Sequence, residues 1–368
     1  MTAFAFADDL GPEKLIEIYD ATTQLRAIVV VDNVAIGPAI GGVRMASDAT
    51  VAECFRLARA MTLKNAAAGL PHGGGKAVIV ADPALSSDRK EALVRSFARA
   101  IADIRDYIPG PDMGTNEIAM AWIRDVTGRA VGLPREIGGI PLDEIGATGV
   151  GLAAALDVAQ PFCGVRLDGA RVVVQGFGSV GKHVARLLAQ RGARLVGVAD
   201  SHGGRVAPDG FDVADLIAFK EAGNGVAQYG AGESIAAQDI VAVDCDVWIP
   251  AARPDVLRAD NVDRLKARVV AQGANIPATA EAERRLAERG VLVIPDFIAN
   301  AGGVICASVE YHGGTQAQAL AAIVEKIAAN TREVLERSAK TGRLPRAIAV
   351  EMATERVKRA MSFRRTAS

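Results

Sequence analysis

Short apolar runs alternate with amphipathic stretches along the second half of the chain. The runs RVVVQ (171–175) and RLVGVAD (194–200) predict buried strands, and the stretches after them predict helices over 179–191 and 211–222. This alternation is typical of a parallel, doubly wound sheet of the α/β class. Further strands are predicted at 243–250, 267–272 and 291–295.

The first half of the chain shows a different pattern. Residues 14–32 hold two apolar segments around a polar stretch, which predicts an antiparallel pair of strands. A helix is expected over 51–67, capped by Asp48 or Thr50, and KAVIVAD (76–82), after a glycine-rich turn, predicts a buried strand. Other helices are expected after a cap at Ser87 or Asp88, from near 115–117, over 147–158, and around 316–339 and 346–363.

Composition narrows the kind of protein. The chain has 368 residues, of which 50% are hydrophobic and 23% charged, so it can bury a sizeable core. A net charge of −1 provides no basic surplus for nucleic acid. The sequence has neither an apolar run of membrane-spanning length nor a basic, apolar leader, so we expect a cytoplasmic protein without nucleic-acid or membrane partners. The four scattered cysteines form no CxxC pair, and we expect no metal site.

A glycine-rich motif lies where the strand at 171–175 meets the next helix. It reads GFGSVG, the GxGxxG pattern whose glycines allow a tight turn and a close approach of the backbone to a pyrophosphate. The free N–H groups of the following helix would bind the phosphates. The predicted dinucleotide-binding residues are Gly176, Phe177, Gly178, Ser179, Val180 and Gly181.

Asp200 ends the next strand, 19 residues after Gly181. A carboxylate there can accept hydrogen bonds from the adenine-ribose hydroxyls and would repel the extra phosphate of NADP, which favours NAD. Ser201, His202 and Arg205 follow closely and could instead hold that phosphate. NAD is therefore the predicted cofactor, NADP stays an alternative, and Asp200 and Ser201 join the predicted cofactor site.

Lys64 and Lys76 lie 12 residues apart in the segment MTLKNAAAGLPHGGGK. The segment is not a P-loop, because Leu70 stands where the first glycine is needed and Ala77 follows Lys76. Most lysines are surface residues with only the stem buried, but three consecutive glycines here let a substrate approach closely. One lysine, buried beside a second ammonium group, would have a lowered pKa and could act as a base, while the other held a carboxylate.

Asp112 supplies an acidic group in the segment IPGPD (108–112). An aspartate before a helix is ordinarily a turn residue. Near the two lysines, it could instead exchange protons with a substrate.

Together these segments resemble the superfamily of glutamate, leucine, phenylalanine and valine dehydrogenases. The substrate half is leucine- or phenylalanine-dehydrogenase-like, and the cofactor half is glutamate-dehydrogenase-like. The matching segments follow the family's order over about residues 14–340. They are GPAIGG (37–42), the lysine segment (61–76), GPDMGTN (110–116), GATGVG (146–151), QGFGSVG (175–181), GAN (273–275) and PDFIANAGGV (295–304).

The resemblance implies reversible, NAD(P)-dependent oxidative deamination of an L-amino acid to a 2-oxo acid and ammonia. By the same resemblance, Lys64 binds the substrate α-carboxylate, Lys76 is the base that activates water, and Asp112 shuttles protons. Asn300 would lie near the substrate carboxylate and the nicotinamide. Thr148 and Asn275 would lie on the nicotinamide side, and Gly41 in the substrate site.

The resemblance also implies a domain organisation and a homo-oligomer. Residues 1–146 would form an α/β domain for substrate binding, catalysis and oligomerisation, and 147–335 a Rossmann-type NAD(P)-binding domain across a cleft. Residues 336–368 would form helices that pack back toward the first domain.

Substrate choice is where the sequence departs from glutamate dehydrogenases. Ile40 replaces the lysine that pairs with the glutamate side chain, and Ala307 replaces a serine. An unpaired second carboxylate would be costly to bury there. We therefore predict an apolar pocket, and branched-chain amino acids or phenylalanine as substrates. The predicted pocket residues are Ile40, Gly110, Val304 and Ala307.

Two alternatives stay open. The chain could be a glutamate dehydrogenase in which another cation, with Arg44 the nearest candidate, binds the second carboxylate. It could also be a catalytically silent protein that senses NAD(H) or an amino acid, although Lys64, Lys76 and Asp112 together argue against that.

Overall fold

The computed structural model describes residues 3–364, which divide into two compact units. Within that range, the first unit contains 3–142, 304–319 and 350–364, and the second contains 143–303 and 320–349. The sequence analysis placed the first boundary at 146 and began a C-terminal segment at 336, whereas residues 336–349 belong to the second unit. The functions expected of these domains stay predictions.

The first unit is built on a five-stranded sheet. The antiparallel pair predicted over 14–32 is present, and two glycine- or proline-containing strands that the pattern did not predict, β3 and β5, complete the sheet. Strands β3, β4 and β5 are parallel to one another, with β3 in the middle. In the order β1-β2-β4-β3-β5, the strands are β1 (Lys14–Asp20), β2 (Leu25–Asn33), β4 (Gly73–Ile79), β3 (Ala39–Met45) and β5 (Tyr107–Pro111).

Helices cover both faces of this sheet. Helices α1 (Val51–Ala67), α2 (Ser87–Ala100) and α3 (Glu117–Thr127) begin within two residues of their predicted starts. Thr50 is the N-cap of α1, where its hydroxyl accepts a hydrogen bond from the Glu53 amide. The predicted cap of α2 was wrong: Ser87 and Asp88 lie inside the helix, and Ser86 occupies the N-cap without a side-chain bond.

The glycines before Lys76 do not form the predicted turn, because Gly73–Gly75 are already the first residues of β4. A Cβ on Gly73 would lie 1.8 Å from the Asn33 carbonyl oxygen, and a Cβ on Gly74 would lie 2.0 Å from the Thr62 amide nitrogen. The glycines therefore let neighbouring backbone approach the strand more closely than any side chain permits. Helix α1 uses that space.

The second unit contains a seven-stranded sheet whose first five strands are parallel, as predicted. Two short strands, β8 and β9, add antiparallel pairs at one edge. The sequence did not reveal them, because GGRV and ESI lack an apolar run. In sheet order the strands are β12 (Leu292–Ile294), β11 (Val269–Ala271), β10 (Val247–Pro250), β6 (Arg171–Gln175), β7 (Arg194–Asp200), β8 (Gly203–Val206) and β9 (Glu233–Ile235).

Helices complete the second unit and the C-terminal third of the chain. Helix α7 was not predicted, and the helix expected over 147–158 continues to Cys163. Within residues 3–364, no helix is long and apolar enough to cross a membrane. The helices are α4 (Ala147–Cys163), α5 (Ser179–Ala189), α6 (Val213–Glu221), α7 (Ala280–Glu288), α8 (Asp296–Ala299), α9 (Gly302–Tyr311), α10 (Gln316–Thr341) and α11 (Pro345–Met361).

Candidate active site

The sheet of the first unit brings two predicted catalytic groups into contact. Lys76 in β4 and Asp112, directly after β5, form an ion pair with 2.5 Å between Nζ and Oδ2. Between their strands lies Gly42 of β3, where a Cβ would stand 2.7 Å from the Asp112 Cβ and 3.1 Å from Lys76 Nζ. A glycine at this point therefore lets the two side chains meet across β3.

Burial and charge act in opposite directions on this pair. Lys76 is 5% exposed, and burial lowers the pKa of its ammonium group although the Asp112 carboxylate opposes that shift. Burial raises the pKa of Asp112, but Lys76 and Arg44 outweigh burial, so the net pKa is lowered. Asp112 is therefore held ionised beside a lysine that releases its proton more readily than usual.

Arg44 in β3 is a third member of this cluster. Its Nε donates to Asp112 Oδ2 at 3.0 Å, and its Nη1 donates to Glu53 Oε1 in α1 at 2.6 Å. Arg44 is therefore already paired with two carboxylates of the protein. It is not available to bind a second substrate carboxylate, which was its expected role in a glutamate dehydrogenase. Instead it orients Asp112, a role that the sequence did not reveal.

Lys64 lies half-buried in the last turn of α1, on the sheet face that carries Lys76. The adjacent Asn65 fixes this end of the helix, since its Nδ2 donates to the Gly73 carbonyl at 2.7 Å and to the Ile40 carbonyl at 3.3 Å. Because α1 also packs against Gly74, the helix that carries Lys64 is held directly against β3 and β4.

An apolar cluster lies on the same face of the sheet. Alternate residues of a strand share a face, so Ile108 and Gly110 of β5 face the same way as Asp112. Gly110 leaves room for Val131, whose Cγ2 would be 3.2 Å from a Cβ there. The buried members of the cluster are Ile40, Ile108, Val131 and Ala307.

Only part of the predicted pocket belongs to this cluster. Val304 is half-buried one turn before Ala307 on α9, and the sequence analysis missed Ile108 and Val131. The period of β5 would have indicated Ile108, but no local pattern marks Val131, which lies in a loop. Gly41 has a structural role, because a Cβ there would lie 1.7 Å from the Gly75 carbonyl oxygen.

Glu310 is a buried acid that the sequence analysis also missed. Its carboxylate accepts hydrogen bonds from the amides of Ile140 at 2.7 Å and Leu133 at 3.2 Å. Burial raises its pKa although these bonds favour the charged form. Glu310 lies one turn after Ala307 and therefore ties the segment after Val131 to α9.

In the second unit, the predicted glycine motif adopts a turn between β6 and α5. Gly176 has φ +99°, and a Cβ on Gly181 would lie 2.0 Å from the Gly176 carbonyl oxygen, so both glycines are required by the backbone. Gly178 instead borders open space at the N-terminus of α5. Phe177 is buried and Ser179 donates to the Asp143 carbonyl, while Val180 lies half-buried in the first turn. The free N–H groups at this helix end suit a pyrophosphate.

Asp200 lies at the end of β7 with its carboxylate already engaged. Oδ2 accepts from Lys220 Nζ at 2.5 Å and from the Val226 amide at 2.9 Å, and Oδ1 accepts from the His202 amide at 2.8 Å. Burial raises the pKa of Asp200, but these bonds outweigh it and lower the pKa overall. Ser201 is exposed beside His202.

The neighbours of Asp200 change the prediction for cofactor choice. Arg205 donates to the carbonyls of Ala227 and Gly232, so its guanidinium is already hydrogen-bonded to the backbone. Lys220 in α6, which the sequence analysis overlooked, is instead the cation beside Asp200. An ammonium group there reduces the repulsion that Asp200 alone would exert on a 2′-phosphate.

The structure brings two of the predicted nicotinamide-side residues together. Asn300 Nδ2 donates to Asn275 Oδ1 at 3.0 Å and to the Gly273 carbonyl at 3.3 Å. The Oδ1 atom of Asn300 is buried without a hydrogen-bond partner, as expected of an acceptor kept for a ligand. Thr148 lies half-buried in the first turn of α4, beside Gly303. Among residues 3–364, no group of three His, Cys, Asp or Glu side chains is arranged to hold a metal ion.

Comparison with known families identifies the chain. Residues 14–129 match the family model described as Glu/Leu/Phe/Val dehydrogenase, dimerisation domain, and residues 138–365 match that of Glutamate/Leucine/Phenylalanine/Valine dehydrogenase. The chain belongs to the Glu/Leu/Phe/Val dehydrogenase family. This confirms the resemblance seen in the sequence, and the protein is an amino-acid dehydrogenase.

Curated relatives of this amino-acid dehydrogenase are named as glutamate dehydrogenases. The enzyme of Aeropyrum pernix is 39% identical over 356 residues, which cover 90% of this chain and 85% of the relative. The NADP-specific enzyme of Saccharolobus shibatae is 36% identical over 90% of this chain and 83% of its own. A catabolic NAD-specific enzyme of Bacillus subtilis is 36% identical over 76% and 68%. These names favour glutamate over the apolar substrates that we predicted from the sequence.

Solved structures with the same fold include enzymes for two kinds of amino acid. The hetero-hexameric glutamate dehydrogenase of Thermus thermophilus, in a leucine-bound form, aligns with a TM-score of 0.85 at 31% identity, covering 97% of this chain and 91% of that one. The L-tryptophan dehydrogenase of Nostoc punctiforme aligns with a TM-score of 0.75 at 26% identity, covering 96% and 98%. The predicted α/β fold with a Rossmann-type unit is confirmed.

Proposed function

We propose that this dehydrogenase oxidatively deaminates an L-amino acid, with Lys64, Lys76 and Asp112 as the acting side chains and NAD or NADP as cofactor. The buried Lys76–Asp112 ion pair is the observation that carries the proposal, because it pairs an ionised acid with a lysine of lowered pKa. Such a pair can release a proton at a lower pH than an exposed lysine does.

The chain's own groups can perform each proton transfer. Lys64 would bind the substrate α-carboxylate, and Asp112 would accept a proton from the substrate ammonium. NAD or NADP, when bound, accepts the hydride from the substrate Cα. Neutral Lys76 would then remove a proton from the water that adds to the iminium carbon. Asp112 would return a proton to the amine, which leaves as ammonia. The carboxylate of Asp112 would then take the proton of the remaining hydroxyl group as the carbonyl of the 2-oxo acid forms.

The second unit fits a nicotinamide dinucleotide. Gly178 borders open space where a pyrophosphate would approach the N-terminus of α5, and the unpaired Oδ1 of Asn300 can accept a hydrogen bond from a ligand N–H. Relatives specific for NAD and for NADP support both cofactors. Because Lys220 neutralises Asp200, we propose that this enzyme uses both, with only a modest preference for NAD.

For the substrate side chain, the geometry supports an apolar group. Ile40, Ile108 and Ala307 are buried in one apolar cluster, and Arg44 is engaged by Asp112 and Glu53. A γ-carboxylate placed against this cluster would lose its hydration without gaining a partner. A branched-chain or aromatic side chain would meet apolar atoms instead.

Glutamate is the second candidate, and the curated relatives support it better than they support an apolar substrate. It requires a cation other than Arg44 for the γ-carboxylate. This candidate rests on the sequence identity to these relatives and not on a contact in the first unit.

One assay separates the candidates: the formation of NADH or NADPH at 340 nm with each of the twenty L-amino acids. We expect activity with leucine, valine, isoleucine or phenylalanine and little with glutamate, and loss of that activity in a Lys76→Ala variant. Activity with glutamate alone would overturn the apolar proposal and leave the reaction class intact. A folded protein that binds NADH but turns over no amino acid would favour the sensor.

We also propose a homo-oligomer. The dimerisation-domain name of the first family model and the hetero-hexameric Thermus relative support assembly into an oligomer. Light scattering after size-exclusion chromatography tests this directly. A mass of 38.3 kDa at assay concentration would contradict it.

A further inference from the structure

A strained turn follows Asn275. Ile276 has φ +47°, the left-handed region that β-branched residues avoid. The turn is held from the side by Asp296, whose Oδ2 accepts the Ile276 amide at 2.7 Å. Such strain persists only where the surroundings fix the backbone, and it is most frequent at ligand sites.

Asp296 also fixes Asn300, on the other side of the same pair of asparagines. Its carbonyl oxygen accepts the Asn300 amide at 2.7 Å, and Asn300 Nδ2 in turn donates to Asn275 Oδ1. Asp296 therefore binds the backbone directly after Asn275 through its side chain and the backbone of Asn300 through its carbonyl. Because Asn300 Nδ2 is used within this pair, its amide cannot rotate without losing a bond, and Oδ1 keeps one direction.

Asp296 is itself held by Arg346, at the start of α11. Arg346 Nη2 lies 2.8 Å from Asp296 Oδ1, and the same nitrogen donates to Gln272 Oε1 at 2.7 Å. Gln272 Oε1 also accepts the Asp296 amide at 3.0 Å. Through Nε, Arg346 donates to both carboxylate oxygens of Glu283 at 2.8 Å.

The charges make Arg346 difficult to replace in this network. The side chains of Asp296 and Glu283 are 6% and 5% exposed, so each carboxylate needs a positive partner. One guanidinium donates hydrogen bonds to Glu283 and to the Gln272 amide oxygen, and its charge also pairs with Asp296. A lysine would keep the charge but not this geometry.

We propose that Arg346 is a positioning residue for the nicotinamide side of the site. Arg346 fixes the Asp296 side chain, which holds the Asn275–Ile276 turn. Asn275 in turn holds the side-chain amide of Asn300, whose unpaired Oδ1 then keeps one orientation toward the ligand. This inference rests on the proposed function and on the predicted position of Asn275 and Asn300 beside the nicotinamide. It makes the first turn of α11 part of the cofactor site without direct contact.

The test compares two ligands that share the adenosine half of the cofactor. NADH carries the nicotinamide and ADP-ribose does not, so only NADH affinity depends on the asparagines. For Arg346→Met we expect NADH affinity to fall about tenfold while ADP-ribose affinity stays within about twofold, as for loss of one charge-assisted bond. For Arg346→Lys, which keeps the charge, we expect a smaller loss. Arg284→Met, which removes an exposed arginine from α7, is the control and should change neither affinity.

The ratio of the two affinities decides between positioning and a general structural role. An equal loss of both affinities, or an unchanged ratio in Arg346→Lys and Arg346→Met, would overturn the inference. If Arg346→Met does not fold, Asp296→Asn replaces it, because asparagine keeps an acceptor for the Ile276 amide but removes the charge. These measurements need no turnover, so an enzyme inactive toward every amino acid would refute the proposed function without deciding this inference.

Discussion

Among individual residues, Lys76 shows how the first unit lowers the pKa of the proposed catalytic base. Its neighbours have opposing effects: burial and Arg44 lower the pKa of the ammonium, and Asp112 raises it. The net shift is downward, so the neutral form is available at a lower pH than for an exposed lysine. If neutral Lys76 is the base, kcat/KM should rise with pH as Lys76 loses its proton.

Arg44 provides a test of this balance. The positive charge of Arg44 lowers the pKa of Lys76, and Arg44→Gln removes that charge. The alkaline rise in kcat/KM should therefore move to higher pH, by about half a pH unit or more. The maximum should also fall, because Asp112 loses a hydrogen bond. A full pH profile measures both effects, with Arg95→Gln, at an exposed pair, as the control. A shift to lower pH would contradict the role of Lys76 as the base.

Lys220 provides a second test at this scale. Lys220→Gln leaves Asp200 without its cation, so the carboxylate should repel a 2′-phosphate more strongly. We expect the ratio of kcat/KM for NAD to that for NADP to rise about three- to tenfold. Arg264→Gln, which breaks an exposed pair with Asp239 elsewhere in the same unit, is the control. A ratio that stays constant would place cofactor choice away from Asp200.

At the level of secondary structure, the contact of α1 with β4 depends on Gly74. A Cβ at this position would overlap the Thr62 amide nitrogen and Cα, both within 2.4 Å, and α1 would have to move. Gly74→Ala should therefore lower the free energy of unfolding by about 3 kcal/mol or more. It should also raise the KM for the amino acid, because α1 carries Lys64.

Urea unfolding and steady-state kinetics measure these two effects. Gly230→Ala is the matched control, because Gly230 faces open space and its backbone does not require glycine. Wild-type stability in Gly74→Ala would show that α1 adjusts freely to a larger side chain.

The elements that were predicted correctly are those with a clear apolar pattern, periodic in a helix and continuous in a buried strand. Helix α1 and strands β6 and β7 have long apolar patterns and begin at the predicted residues or caps. Strand β5 was missed because YIPGP contains two prolines, which only an edge strand tolerates. The turn expected at Gly73–Gly75 is not present. Local sequence propensity does not show that distant backbone packs closely against these glycines.

The same limit applies to the site. Motif resemblance led to Lys76, Asp112, Asn275 and Asn300, and the structure places them in two contacting pairs. The residues that orient these pairs were not foreseen, because Arg44 and Arg346 act through contacts distant in sequence. Arg44 lies in the strand AIGGVRM and Arg346 in the segment LPRAIAV, and neither local sequence indicates which residues these arginines bind.

At the scale of the whole molecule, each unit has its own apolar core. One core cluster of the first unit includes Val29, Phe97 and Ile123, and one of the second includes Val173, Trp248 and Leu286. The groups predicted to bind the dinucleotide all belong to the second unit, whereas Lys76 and Asp112 belong to the first.

This division predicts which backbone amides a fragment of the cofactor protects from hydrogen exchange. ADP-ribose should slow amide hydrogen exchange in residues 143–303 and 320–349, most of all around the GFGSVG turn and Asp200. Exchange in strands β3 and β4 should change little. Mass spectrometry of peptides measures hydrogen exchange with and without ADP-ribose. The control is the same buffer with ribose in place of ADP-ribose. Equal protection throughout both units would contradict the assignment of cofactor binding to the second unit.

The glycines of β3 and β4 also have a consequence for redesigning the enzyme. Gly41, Gly73 and Gly74 lie against backbone atoms, so no substituted variant of these positions keeps the present strand spacing. A combinatorial library aimed at new substrates should hold them constant. Diversity belongs at Ile40, Val131 and Ala307, whose side chains are buried in one apolar cluster and can be exchanged as a set.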